Sequence, residues 1–396
     1  MSETKGERRI PMSAPDLTDS EREAVAAVLR TPYLSMGPEI EAFEASVARY
    51  VEAKHAVAVN SGTAGLHLCV RAIDIGPGDY VITTPFSFVA SANVLLYEHA
   101  VPVFVDVDAR TGNIDTAKVG QAAEALQKGG PEADQWLPRK GAKPGGQLKA
   151  LLPVDVFGQP ADYDELQRIA AKFGLGILED SCEAIGALYK NRPAGMLGDA
   201  GVFAFYPNKQ MTTAEGGIVV TDEDEIAEVV RALRNQGRAP GDTWLEHTYL
   251  GYNYRLSELS AALGRSQMER LDALLEKREQ VAGWYTERLE RVDAVEVPQI
   301  VDATTRMSWF VYVVRLAEGL EQVEVADALA ERGVPSRPYF APIHLQPYFR
   351  ERFDYKEGDF PVTEDLGTRS LALPFSSVMP EEDVEYVCNA IREVLG

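Results

Sequence analysis

Between Glu39 and Asp222 short β-rich runs alternate with segments of helical period. The runs are "HAVAV" (55–59), "DYVITT" (79–84), "VPVFVDV" (101–107), "LKALLPVDV" (148–156), "LGILED" (175–180), "GVFAF" (201–205) and "GGIVVT" (216–221). Helical patterns fall at 63–73, 87–98 and 162–173. That alternation predicts a doubly wound α/β domain with a mostly parallel sheet covered on both faces. Ligands of such sheets sit beyond the carboxyl ends of the strands.

After Asp222 the pattern changes. A helix is expected near 223–235, a long helical pattern runs from about Ser257 to Val292, and "VEVP" and "WFVYVVRL" read as strands. Further helices are expected near 321–332 and from about Pro380. The expected organisation is an N-terminal arm with a first helix (1–38), a large α/β domain (39–255), and a long helix with a smaller α+β domain (256–396). The Gly/Pro-rich segment 127–147 lacks periodicity and is expected to be an exposed insertion.

A net charge of -22 disfavours nucleic acid and anionic membrane as partners, since both would repel this surface. A small-molecule substrate fits better. Three cysteines, Cys69, Cys182 and Cys388, lack the spacing of a zinc site or disulfide framework, so no metal is expected. The polar N-terminal segment does not resemble a signal peptide, and a cytoplasmic location is expected.

Three features would meet at one rim of the expected sheet. In "VNSGTAGLHL", Ser61, Gly62 and Thr63 follow a strand and open a helix, which makes either an anion cradle or an ordinary N-cap. In "LGILEDSCEAIGA", a strand ends at Glu179 and Asp180, where a carboxylate can hold a protonated heterocyclic nitrogen or cap the next turn. Glu183, three residues on, either reaches the same pocket or faces solvent. In "FYPNKQMTTAEGG", Lys209 sits between a Pro-Asn turn and small residues. A lysine there is a surface charge or, beside an apolar pocket, a group able to form a Schiff base. Together a phosphate cradle, a strand-end aspartate and a lysine are the three attachment points of pyridoxal 5'-phosphate.

These stretches, with "GDYVITTPFSFVASAN", "PVFVDVD" and "GYNYRLSELSAALG", resemble the DegT family of sugar aminotransferases within fold type I of the pyridoxal-phosphate enzymes. The resemblance runs from about Tyr33 to the C-terminus. "SRPYFAPIH" and Glu183 make the chain most similar to GDP-perosamine synthases within that family. The resemblance implies Lys209 as the Schiff-base lysine and Asp180 as the partner of the ring nitrogen, both catalytic. It implies Gly62 and Thr63 at the phosphate, Phe88 stacked on the ring, and Glu183 near the phenolic oxygen. Asn253 matches an asparagine that reaches the cofactor phosphate of a neighbouring subunit, which implies a homodimer with shared active sites.

The implied substrates are L-glutamate, as amino donor, and a nucleotide-linked ketosugar, 4-keto-6-deoxy in kind. Other members of the scaffold act on 3-keto sugars or cyclitols, replace the lysine by histidine in dehydratases, or serve as non-catalytic regulators. Retained Lys209 opposes the dehydratase type. Candidate substrate contacts are Ser35 and Gly37 in "PYLSMGPE", Arg337 and His344 in "SRPYFAPIH", and Arg255. Each has an alternative as an ion pair, a packed ring or a loop support. The chain departs from the family twice. Ala204 stands where a phosphate-binding serine is common, and Asp155 stands where a histidine is usual.

Overall fold

The computed structural model describes residues 9–142, 145–243 and 245–396. Parts of the expected arm (1–8) and of the expected insertion (143 and 144) lie outside them. The alternation of the first half becomes a seven-stranded sheet. Its strands are β1 (His55–Val59), β2 (Tyr80–Thr83), β3 (Val101–Phe104), β4 (Leu148–Leu152), β5 (Gly176–Asp180), β6 (Ala200–Ala204) and β7 (Gly217–Thr221). They lie in the order β1-β7-β6-β5-β4-β2-β3. Only β7 runs against its neighbours. "YVIT", "VPVF" and "GIVVT" are buried along their whole length, as expected of strands covered on both faces.

This topology sets the rim. The six co-directional strands end on one edge, so Val59, Thr83, Asp180 and Ala204 finish side by side. β7 enters there instead, with Gly217 paired to both Val59 and Ala204. The helix Gly62–Ala72 leaves β1 at that edge and lies close on the sheet. A Cβ on Gly65 would come within 2.7 Å of Val202, so the close approach requires glycine.

A second, antiparallel sheet joins Val295–Glu296, Tyr312–Leu316, Ser370–Leu373 and Arg337–Pro338 in that order. Its core packs Tyr312, Val314 and Leu371 against the helices Leu271–Leu289 and Glu381–Leu395. One sequence expectation needs correction. The helical pattern 257–292 breaks at Arg270, whose ψ of 15° is not helical, leaving helices Glu258–Met268 and Leu271–Leu289. No glycine or proline marks the break. Long-range bonds hold it: Gln267 Nε2 and Arg270 Nη2 donate to the Asp16 carbonyl at 3.0 and 2.9 Å.

The segment 127–147 is largely exposed in its described part and is tied back at two points. Trp136 and Leu137 pack on the large core, and Arg139 grips Asp359 through two bonds of 2.6 and 2.7 Å. Among the described residues no helix is long and apolar enough to cross a membrane, and no His/Cys/Asp/Glu cluster could hold a metal ion.

Candidate active site

A cavity of about 590 Å³ opens at the rim. Gly62, Thr63, Phe88, Asp180, Glu183 and Lys209 all line it, although they come from four separate stretches of sequence. Ser61 caps the helix that starts there, its Oγ accepting from the Ala64 N–H at 3.1 Å. The remaining free N–H groups of the first turn suit an anion. Gly62 is required by contact: a Cβ would lie 2.7 Å from Ala204 Cβ and 2.8 Å from Cys182 Sγ.

Lys209 is held by its backbone and left with few side-chain partners. Its N–H donates to the Tyr206 carbonyl at 2.9 Å, closing the Pro-Asn turn. Its Nζ lies 3.5 Å from Glu183 Oε1 and 3.7 Å from the centre of the Phe310 ring. The lysine side chain is 12% exposed, which excludes the solvated-surface alternative. Glu183 faces the cavity, its Oε2 accepting from the Phe157 N–H at 3.0 Å. Burial raises the Glu183 pKa, and the Lys209 charge opposes that rise.

Beneath the lysine lies a residue that sequence reasoning missed. Arg278, 1% exposed, reaches from the helix Leu271–Leu289 to the turn that carries the lysine. It donates to the carbonyls of Asn208 (3.2 Å), Lys209 (2.6 Å), Trp309 and Phe310 (both 3.1 Å). One guanidinium thus ties the lysine turn to the segment that carries Phe310 and leads into the strand Tyr312–Leu316. Burial lowers its pKa to about 9, still above neutrality, so it remains charged at pH 7. Its position in a charged helical run gave no signal. Phe310 was legible only as part of a strand.

Asp180 ends β5 with a carboxylate set by two donors. Ser91 Oγ donates to Oδ2 at 2.6 Å, and the Cys182 N–H to Oδ1 at 3.3 Å. Ser91, also missed, sits one turn after Phe88 in the "FSFVAS" stretch. Asp155 accounts for itself as a support: fully buried, it accepts from Ser181 Oγ (2.6 Å), the Ala161 N–H (3.0 Å) and the Tyr163 hydroxyl (2.9 Å). It fixes the loop after β5 without lining the cavity. Burial raises its pKa to about 7, with the Asp180 charge adding to the rise.

Most of the other sequence-predicted residues lie elsewhere. Phe88 lines the cavity at 65% exposure and takes no part in the core of the protomer. Asn253 is exposed on the outer side of a bridge to Asn235, and Arg255 donates to Asn235 Oδ1 at 2.9 Å. Ser35 bridges to Ser257, while the Gly37 N–H donates to Glu258 Oε1 at 2.9 Å. None of these four lines the cavity. Arg337 is exposed beside it, whereas its neighbours Pro338, Tyr339 and Phe340 do line it. His344 is corrected to a packed ring: it is wholly buried, 3.0 Å from Glu364 Oε1, and edge-on to Phe360 at 4.7 Å.

Residues 15–392 match the DegT/DnrJ/EryC1/StrS aminotransferase family. The chain belongs to that family. It is 38% identical to GDP-perosamine synthase of Caulobacter vibrioides over 98% of both chains. It is 36% identical to the spore coat polysaccharide biosynthesis protein SpsC of Bacillus subtilis, over 98% of this chain and 97% of that one. Among solved structures it is similar to Helicobacter pylori PseC, an aminotransferase involved in the biosynthesis of pseudoaminic acid. The TM-score is 0.87 at 28% identity, covering 98% of this chain and 99% of that one. This DegT-family chain is therefore a fold type I sugar aminotransferase, and the aminotransferases of its family depend on pyridoxal phosphate.

The residues present fit that cofactor. The cavity offers a helix N-terminus for its phosphate, a carboxylate for its ring nitrogen and a nearly buried primary amine for its aldehyde. Asn208 Oδ1, also at the cavity, is buried without a hydrogen-bond partner. It leaves an acceptor free beside the lysine.

Proposed function

We propose that the chain transfers an amino group from L-glutamate to a nucleotide-linked 4-keto-6-deoxysugar, as a cytoplasmic homodimer with shared active sites. The observation that carries this reading is the convergence of Lys209, Asp180 and Glu183 with the helix start at Gly62 around one open cavity. Two relatives bearing the name GDP-perosamine synthase, at 38% and 31% identity, support a nucleotide-linked sugar as acceptor.

Bound pyridoxal phosphate supplies an electron sink for the carbanion that transamination requires. The chain supplies the rest. Lys209 would hold the cofactor through its amine and, when that amine is free, would carry the proton from one carbon to the other. The Asp180 carboxylate, aimed by Ser91, would keep the ring nitrogen protonated. Glu183 stands 3.5 Å from Lys209 and would orient its amine. Phe88, Tyr206 and Tyr339 give the mouth an aromatic lining, two-thirds exposed at Phe88 and half exposed at Tyr206. Apolar surface of that size at a site mouth favours cover by a second copy, with Asn253 of each protomer serving the other's phosphate.

The test is a two-stage assay on purified holoenzyme. L-glutamate should bleach the absorption of the bound cofactor, and a nucleotide-linked 4-keto-6-deoxysugar should restore it. Restoration by 3-keto sugars or cyclitols alone would move the assignment to those substrates, and no response to glutamate would defeat it.

A further inference from the structure

The helix that opens at the cavity carries His67 one turn inside, 3% exposed, with both ring nitrogens engaged. Nε2 lies 2.7 Å from Glu98 Oε1 and Nδ1 3.2 Å from the Tyr254 hydroxyl. Glu98 also accepts from the Tyr252 hydroxyl at 3.0 Å and from Arg71 Nη1 at 2.8 Å. The Tyr252 and Tyr254 rings stack at 4.9 Å, 10° apart, and His67 sits 4.7 Å from the former. The backbone follows suit. The Asn60 N–H, at the end of β1, donates to the Tyr254 carbonyl at 2.9 Å, and the Tyr252 N–H to the Leu233 carbonyl at 2.7 Å.

Residues 252 and 254 are therefore anchored inward by their hydroxyls and rings, and Asn253 between them is turned to the exposed side. Apolar packing alone would hold such a segment with freedom to slide. Two directed contacts, Tyr252 to Glu98 and Tyr254 to His67, fix its position instead, and Glu98 is held in turn by His67 and Arg71. The same helix whose N-terminus faces the cavity thus carries the residue that fixes the Asn253 segment.

We infer that the His67–Glu98–Tyr252–Tyr254 cluster is a positioning device that couples the phosphate turn of one protomer to the asparagine it offers its partner. The inference rests on the dimer reading proposed above for Asn253. Through His67 the helix Gly62–Ala72 holds in place the segment that completes the other site.

The test compares pyridoxal phosphate with pyridoxal, which has no phosphate, in titrations of the apo-dimer followed by absorbance. Tyr252→Phe/Tyr254→Phe removes both hydroxyls and leaves the stacked rings. It should weaken pyridoxal phosphate about 10-fold and leave pyridoxal unchanged. Asn253→Ala should reproduce the phosphate-specific loss. If Asn253→Ala shows that loss while the double variant stays within about 2-fold of wild type, the cluster is not the positioning device. A loss shared equally by both ligands, or a dissociated dimer, would mark it as a fold-holding contact and overturn the inference. An Asn253→Ala protein with unchanged phosphate binding would defeat the dimer reading itself, and the inference with it.

Discussion

The inner wall of the cavity and its outer face are built differently. Inside, every functional side chain is fixed by a buried partner: Asp180 by Ser91, Glu183 by the Phe157 N–H, and the Lys209 turn by Arg278. Outside, Ser35, Asn253 and Arg337 are exposed, and Phe88 presents most of its ring to solvent. Groups that act on reacting atoms must be preorganised, because a displacement of about 1 Å costs on the order of 100-fold in rate. Groups that meet a variable sugar gain nothing from rigidity before it arrives. The protomer thus fixes the groups nearest the lysine in advance and leaves its substrate side open.

If that division is right, the largest effect belongs to the inner wall. Lys209→Ala should abolish turnover, a loss of about 10⁴-fold or more measured as glutamate-dependent amination, since one residue is both anchor and proton carrier. Substitution on the outer face, as in Arg337→Ala, should leave cofactor absorbance intact and act on the KM for the sugar alone. An Arg337→Ala protein that lost its cofactor would break the comparison.

Stability should divide in the same way. Arg278→Met removes the donor to four carbonyls and should cost about 3–5 kcal/mol in urea denaturation, because buried acceptors are left unpaired. Arg255→Ala, which breaks one contact at the surface, should change stability by about 0.5 kcal/mol or less. Equal losses would mean the inner wall holds no special share of the fold.

How far the sequence revealed this wall depends on the kind of signal. Period-2 and period-3.6 patterns give all seven strands of the large sheet within a few residues, and the rim follows because strands ending on one edge bring Gly62, Asp180 and Lys209 together. Arg278 and Ser91 were illegible. Their roles depend on contacts between residues far apart in the chain, and neither has a local pattern that marks it. His344 was misread because Ala341 and Gln346 on either side of it line the cavity, while the tight turn Ile343–Leu345 between them carries its own ring into the Phe360–Tyr355 cluster.

Asp155 gives a smaller, pH-dependent test of the inner wall. Its folded pKa is raised to about 7, chiefly by burial. Between the ordinary carboxylate value and that one, the folded protein holds more protons than the unfolded chain, so stability falls as pH rises through the window. Asp155→Asn mimics the protonated form, and Ser181 can reverse its hydrogen bond to suit the amide. The variant's stability should decline less than that of wild type between about pH 5 and pH 8 in urea titrations. An unchanged slope would place the burdened carboxylate elsewhere, with Glu179 next, which burial also raises.

The smallest effect concerns Ala204, the departure from the family at the phosphate. Its methyl group lines the cavity and would lie against a Cβ on Gly62, so a hydroxyl added there reaches the same first helical turn. Ala204→Ser should bind pyridoxal phosphate about 3- to 10-fold more tightly, the worth of one net hydrogen bond, with pyridoxal unaffected. If both ligands bind as to wild type, another group already makes that bond. Cys182 is the nearest candidate, its Sγ lying 2.8 Å from the same Gly62 Cβ position. Cys182→Ala in the Ala204→Ser background separates the two cases: a thiol that fills the serine's place makes the hydroxyl matter only once it is gone.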